Sequence, residues 1–143
     1  MYVTYKQKLK FNNKYEYQVI KELCHTAKNL WNETIYYLKN HEDVPRYSKI
    51  FRYQLKKRNS FKKLNSQIAE NVLKSVEKAY SAAIAKRINN KNTGKIARVG
   101  NPGYLPKRGY YTLEIPSAKI IVSKDGKSFK FLYSRAFGKT HSE

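Results

Sequence analysis

The side chains best equipped for catalysis are few and far apart in this chain. Histidine occurs at His25, His41 and His141, and the single cysteine, Cys24, adjoins one of them. A tetrahedral metal site needs several ligands at motif spacing, and one adjacent Cys–His pair is not a ligand set. Cys24 also neighbours Leu23 and Ala27 on an apolar stripe, where a small core residue belongs. The only aspartates, Asp43 and Asp125, follow a helical pattern and sit in an Asp-Gly turn, and turn chemistry explains both. Two-metal hydrolysis requires clustered carboxylates, whereas the acids here are sparse and opposed by lysines. Gly100-Asn101-Pro102-Gly103 lacks the Lys-Ser/Thr pair of a phosphate loop and reads as a turn. The residues therefore predict no catalytic group, no metal and no cofactor.

Basic and aromatic residues are abundant instead. The chain has 30 Lys plus Arg against 10 Asp plus Glu, a net charge of +20 in 143 residues, together with 13 Tyr, 6 Phe and 1 Trp. Charge on this scale repels itself unless a polyanion offsets it, and the aromatic content is too high for a chain that never packs. Phosphates require positive charge along a path, and unpaired bases require flat rings. Lys107 and Arg108 beside Tyr104, Tyr110 and Tyr111 supply both. Tyr104 and Tyr110 are accordingly candidate base-stacking residues, whereas Tyr111 suits a β core equally well. No apolar run approaches the roughly 20 residues of a membrane span, and a lone cysteine suits a reducing, cytoplasmic compartment. Nucleic acid is the expected partner, and a membrane is not.

These residues must be positioned by a mixed set of elements. Val3, Tyr5, Leu9 and Phe11 alternate with Thr4, Lys6, Lys8 and Lys10, predicting a strand with a cationic outer face. Asn12-Asn13 breaks it. Ile20, Leu23, Ala27, Leu30, Trp31, Thr34, Ile35 and Leu38 then fall three or four apart, the stripe of an amphipathic helix from about Tyr15 that ends between Asn40 and Pro45. A shorter helix places Tyr47, Ile50, Phe51 and Leu55 on one face. After the basic runs 56–58 and 62–63, Asn65 or Ser66 caps a helix predicted to reach Ile88, with a polar turn over 89–94. Beyond it, Gly and Pro punctuate extended runs at 111–115, 119–122 and 128–133, the last two joined by Asp125-Gly126, a strong hairpin signal. A lone first strand needs partners, so the fold expected is α+β: residues 1–12 as the first strand of a small antiparallel β-barrel, an inserted helical domain of three to four helices over 13–92, and the rest of the barrel over 93–143. Basic charge is shared evenly, with 17 basic and 7 acidic residues up to Ala85 and 13 and 3 beyond it, +10 on either side.

Several segments together resemble the TnpB proteins, the OrfB-type transposases of insertion sequences. Residues 23–38, with Asn29, Trp31 and Asn32, look like that family's first helix. Leu64-Asn65-Ser66-Gln67 followed by 72–80 is similar to its last recognition helix. Gly94-Lys95, 102–107 and 111–115 resemble the basic turn and strand that follow it, so the match runs from Met1 to about Leu132. The resemblance implies the wedge β-barrel and helix-turn-helix-like recognition domain of an RNA-guided DNA endonuclease related to type V Cas effectors. Its partners would be a guide RNA and double-stranded DNA carrying a short target-adjacent motif. The family's RuvC-like nuclease domain and zinc ribbon follow the region matched here, and neither their acidic triad nor their cysteines are present, so this chain is not expected to cut DNA.

By the same resemblance, motif reading falls to Tyr47, Ser66, Gln67, Glu70, Pro116 and Ser117. Relatives often carry Gln where Glu70 stands; Gln bonds adenine bidentately, whereas Glu accepts from a cytosine amino group, so a different motif is expected. Lys56, Lys57, Arg58, Lys62, Lys63, Lys107 and Arg108 are the expected sequence-independent backbone contacts. Two other classes fit the composition: a stand-alone DNA-binding repressor or accessory protein of a mobile element, and a structural RNA-binding protein.

Overall fold

The computed structural model describes residues 13–41, 49–96, 98–116 and 120–131, together with Thr4, Lys6 and 8–11. The first helix begins where the sequence breaks its alternation: Asn13 is the N-cap, its Oδ1 accepting the Glu16 N–H at 2.9 Å. From this cap α1 runs over Lys14–Asn40. It is followed by α2 (Lys49–Lys56), α3 (Asn59–Lys63) and α4 (Ser66–Thr93), and then by strands β1 (Ile120–Val122) and β2 (Phe129–Phe131). Asn65 caps α4, its Oδ1 accepting the Gln67 N–H at 3.1 Å.

The core lies between α1 and α4 and is closed by the two short helices. Leu23, Ala27, Leu30 and Ile35 of α1 meet Ile68, Val72, Leu73 and Val76 of α4, with Phe51, Leu55, Phe61 and Leu64 sealing one side. Each of the large side chains here gains about 1.5–3 kcal/mol by leaving water. Thr34, fully buried among them, donates its hydroxyl to the Leu30 carbonyl at 2.7 Å, so it adds no unsatisfied polar group.

Helix α4 extends five residues beyond the expected end at Ile88. Asn90 is buried, the Thr93 hydroxyl donates to Asn89 O, and Gly94, at φ 70°, caps the helix while Lys95 N–H returns to Asn90 O. The asparagines that suggested a turn are held in the helix by that left-handed cap.

The fold is α+β, with the hairpin as the sheet among the described residues. Its register pairs Ile120 with Phe131 and Val122 with Phe129, and Asp125-Gly126 forms the turn as expected. Two strand expectations are not met. Thr4, Lys6 and 8–11 are in no strand, the rest of the first segment lying outside the described residues. Residues 111–115 are in no strand either. Tyr111, Leu113 and Ile115 do face inward and Thr112 and Glu114 outward, but what they pack against is the helical core. Alternation reports extended backbone with one buried face; it does not report that another strand supplies the hydrogen bonds. Residues 98–116 thus form a strap laid on the helices, and core contacts cross the boundary drawn between residues 92 and 93.

Candidate nucleic-acid interface

Side chains of α1 at positions 25, 28, 31 and 32, on one face by helical spacing, hold the strap by its carbonyls. Trp31 Nε1 donates to Gly103 O at 3.1 Å, Lys28 Nζ to Lys107 O at 2.8 Å, and His25 Nδ1 lies 3.3 Å from Gly109 O. Asn32 binds Leu105 twice, donating to its carbonyl at 3.1 Å and accepting its N–H at 2.8 Å. From Leu105 onward the strap therefore runs opposite to α1, its partners falling from Asn32 through Lys28 to His25. Beyond them Tyr111 N–H donates to Cys24 O, and Asn71 Nδ2 donates to Glu114 O. Arg87 hydrogen-bonds Asn101 at the strap's start.

This seating decides which residues are spent on structure. Tyr111 packs on Trp31 with ring centroids 4.9 Å apart and belongs to the core. Lys28 is only 3% exposed, so its ammonium serves the strap and not the charged surface. Cys24 is half-buried, and that burial pushes its thiol above the usual cysteine value, which disfavours the nucleophilic thiolate.

The strap also brings together the residues expected to touch nucleic acid. Gly100-Asn101-Pro102-Gly103 is not a turn; the chain turns at Pro106–Gly109, where Gly109 N–H donates to Pro106 O at 2.8 Å. A side chain at Gly109 would place its Cβ 3.1 Å from Pro106 O, so the tight turn explains the glycine. Lys107 and Arg108 are exposed at its tip. Tyr104 and Tyr110 flank the turn, 51% and 53% exposed, and each has a lysine on its ring: Lys39 Nζ lies 4.5 Å from the Tyr104 centroid and Lys21 Nζ 5.9 Å from that of Tyr110. Lys21 also stands 5.4 Å from the ring of exposed Tyr17, and Lys57 caps exposed Tyr53 at 4.2 Å.

A second group gathers where α2 and α3 meet α4. Ser66 and Gln67 are exposed in the first turn of α4, which carries no acidic residue and so presents the positive end of a 28-residue helix. Lys57, Arg58, Lys62 and Lys63 are exposed just before it. Glu70 is placed differently from these: Arg52 Nη2 donates to its Oε1 at 2.7 Å and Lys56 Nζ lies 3.7 Å from the same oxygen. That carboxylate ties α2 to α4. Tyr47 and Ser117 lie outside the described residues, and Pro116 is half-buried at the strap's end.

The two groups are joined across α1. Next to Asn32, which grips the strap, Glu33 Oε1 accepts the hydroxyl of Ser60 in α3 at 2.9 Å. Between them opens a cleft of about 220 Å³ lined by Asn32, Glu33, Tyr36 and Arg58. Lys39 stands one turn beyond Tyr36 on the surface of α1 and reaches Tyr104. Arg58 and Tyr36 at the cleft and Lys39 on the ring of Tyr104 thus set exposed cations and rings across α1. Such a surface can neutralise phosphates and stack bases.

Sequence reading missed Tyr17, Lys21, Tyr36, Lys39 and Tyr53. A signal existed: Tyr17 and Lys21, Tyr53 and Lys57, and Tyr36 and Lys39 fall at helical spacings of three or four. Among the described residues no group of three His, Cys, Asp or Glu is placed to hold a metal ion, and no helix is long and apolar enough to cross a membrane. Comparisons with protein-family models, curated proteins and solved structures returned no match.

Proposed function

We propose that this chain is a nucleic-acid-binding module, and that it corresponds to the guide-RNA- and motif-binding part of a TnpB-like RNA-guided endonuclease. The observation that supports binding is the series Arg58, Tyr36, Lys39 and Tyr104 crossing α1, on a chain whose net charge is +20. Exposed rings alternate along it with a guanidinium and an ammonium group, as a path for phosphates and bases requires. The narrower identification rests on the resemblance of residues 23–38, 64–67, 72–80, 94–95, 102–107 and 111–115. In this reading Ser66 and Gln67 meet the motif-bearing duplex, Lys107 and Arg108 hold the sugar–phosphate backbone, and no cutting is assigned to these 143 residues. Glu70 keeps its place in the reading only through the helix it anchors.

Binding of the chain to three probes tests this at about 0.15 M salt: structured RNA transcribed from the DNA flanking its gene, random RNA of equal length, and duplex DNA. A clear preference for the flanking RNA, weakened by Lys39→Ala and Arg58→Ala, is expected. Equal affinity for random RNA overturns the TnpB-like identification, and failure to bind any of the three overturns the binding function itself.

A further inference from the structure

Beyond the turn at Pro106–Gly109 the rings continue outside the Arg58–Tyr104 surface. Phe11 and Tyr17 meet edge to face at 5.5 Å, Lys21 stands between the rings of Tyr17 and Tyr110, and His25 meets Tyr110 edge to face at 6.3 Å. Tyr17 is 45% exposed although its own helix has a buried face available, and Tyr110 is more exposed still. Two open rings sharing one ammonium make poor use of apolar surface in an unliganded protein. They suit an occupant that is itself flat and negatively charged.

This ledge is separate from the Arg58–Tyr104 surface. The α1 residues bonded to Gly103 and Gly109 are Trp31 and His25, about 9 Å apart in helix rise. That distance is spanned by about three stacked nucleotides. The exposed turn at Lys107 and Arg108 lies between Tyr104 and Tyr110, where phosphates linking bases on the two rings would pass.

Resting on the binding function proposed above, we propose that Tyr17, Lys21 and Tyr110 form a stacking site for unpaired nucleotides, occupied by a single-stranded extension of a nucleic acid whose folded part lies on the Arg58–Tyr104 surface. Recognition is by ring face and phosphate charge, which every base and both sugars present, so the site takes single-stranded RNA or DNA without sequence preference.

The test uses fluorescently labelled hairpins, in RNA and in DNA, that are blunt or carry single-stranded extensions of about four or about eight nucleotides. The extended hairpins are expected to bind more tightly than the blunt one. Tyr17→Ala should remove the gain, weakening extended probes by about 5- to 150-fold, with blunt probes unchanged. Tyr17→Phe, which keeps the ring, should retain the gain, and Lys21→Ala should reduce it. Helical circular dichroism establishes that each variant is folded. A similar gain with both sugars supports the site, whereas a gain with RNA alone shows a 2′-hydroxyl contact and overturns recognition by ring face and phosphate alone. An extension that adds nothing in either sugar overturns the inference, as does an equal loss for blunt and extended probes in Tyr17→Ala. In both cases blunt-hairpin binding leaves the wider function standing, whereas the absence of all binding removes that function as well.

Discussion

Asn32 shows how much one side chain decides here. Its amide satisfies both a strap N–H and a strap C=O, those of half-buried Leu105. Asn32→Ala leaves both groups without that partner and should cost about 1–3 kcal/mol. Asn32→Asp is nearly isosteric, yet it should cost at least as much, because a carboxylate oxygen replaces the donor facing Leu105 O. Urea unfolding followed by Trp31 fluorescence measures both, since Trp31 is the only tryptophan and packs against the strap's Tyr111. Midpoints below wild type are expected for both variants, with Asp no higher than Ala; an Asp variant as stable as wild type would show that the amide donor is unimportant. Sequence reading placed Asn32 in a notable segment through its resemblance to a family helix, but not its task. A hydrogen bond between positions 73 residues apart leaves no trace in local periodicity. Glu70 is a parallel case: the side chain was visible, while the Arg52 that engages it became a neighbour only on folding.

At the scale of elements, what was legible followed the strength of local signals. The apolar stripes of α1 and α4 and the cap expected at Asn65 or Ser66 were readable because helix faces and caps are decided within a few residues. The hairpin was readable for the same reason, and its turn carries a further consequence. Asp125 Oδ1 accepts the Ser123 hydroxyl at 2.5 Å and the Lys127 N–H at 3.0 Å, and these bonds, the Ser123 bond foremost, hold its carboxyl below the usual aspartate range. A carboxyl whose folded value is lowered adds stability that is present above the unfolded value, about 3.9, and is lost as pH falls through the folded one. Amide exchange at Ser128, whose N–H donates to Ser123 Oγ, should therefore show constant protection above about pH 4 and falling protection below it. Asp125→Asn should remove that dependence, and a wild-type hairpin equally protected at pH 2 would contradict it. The strap was legible only in part. Residues 111–115 were read as extended, as they are, but the partners supplying the strap's hydrogen bonds are helix side chains, which a two-residue period does not specify.

For the whole molecule the charge of +20 acts on stability and on binding in opposite directions. The lysines and arginines of the α2–α3 region and the strap tip stand exposed with few acids beside them, so the folded protein works against its own repulsion. Salt screens that repulsion, and raising it from about 0.05 M to about 0.5 M should raise the thermal midpoint of the free protein. The same salt restores the counterion advantage of free nucleic acid. Log affinity should then fall linearly with log salt, by about 0.7–0.9 per phosphate neutralised. Lys107→Ala removes one cation from both processes. It should raise the midpoint at low salt and flatten the binding slope by about one, with the hydrogen bond from Lys28 to the Lys107 carbonyl retained, since that group belongs to the backbone. Thermal melts and salt-dependent binding isotherms of the two proteins decide the matter. A lysine used only for solubility would shift the melt and leave the slope alone, whereas one that contacts phosphate moves both.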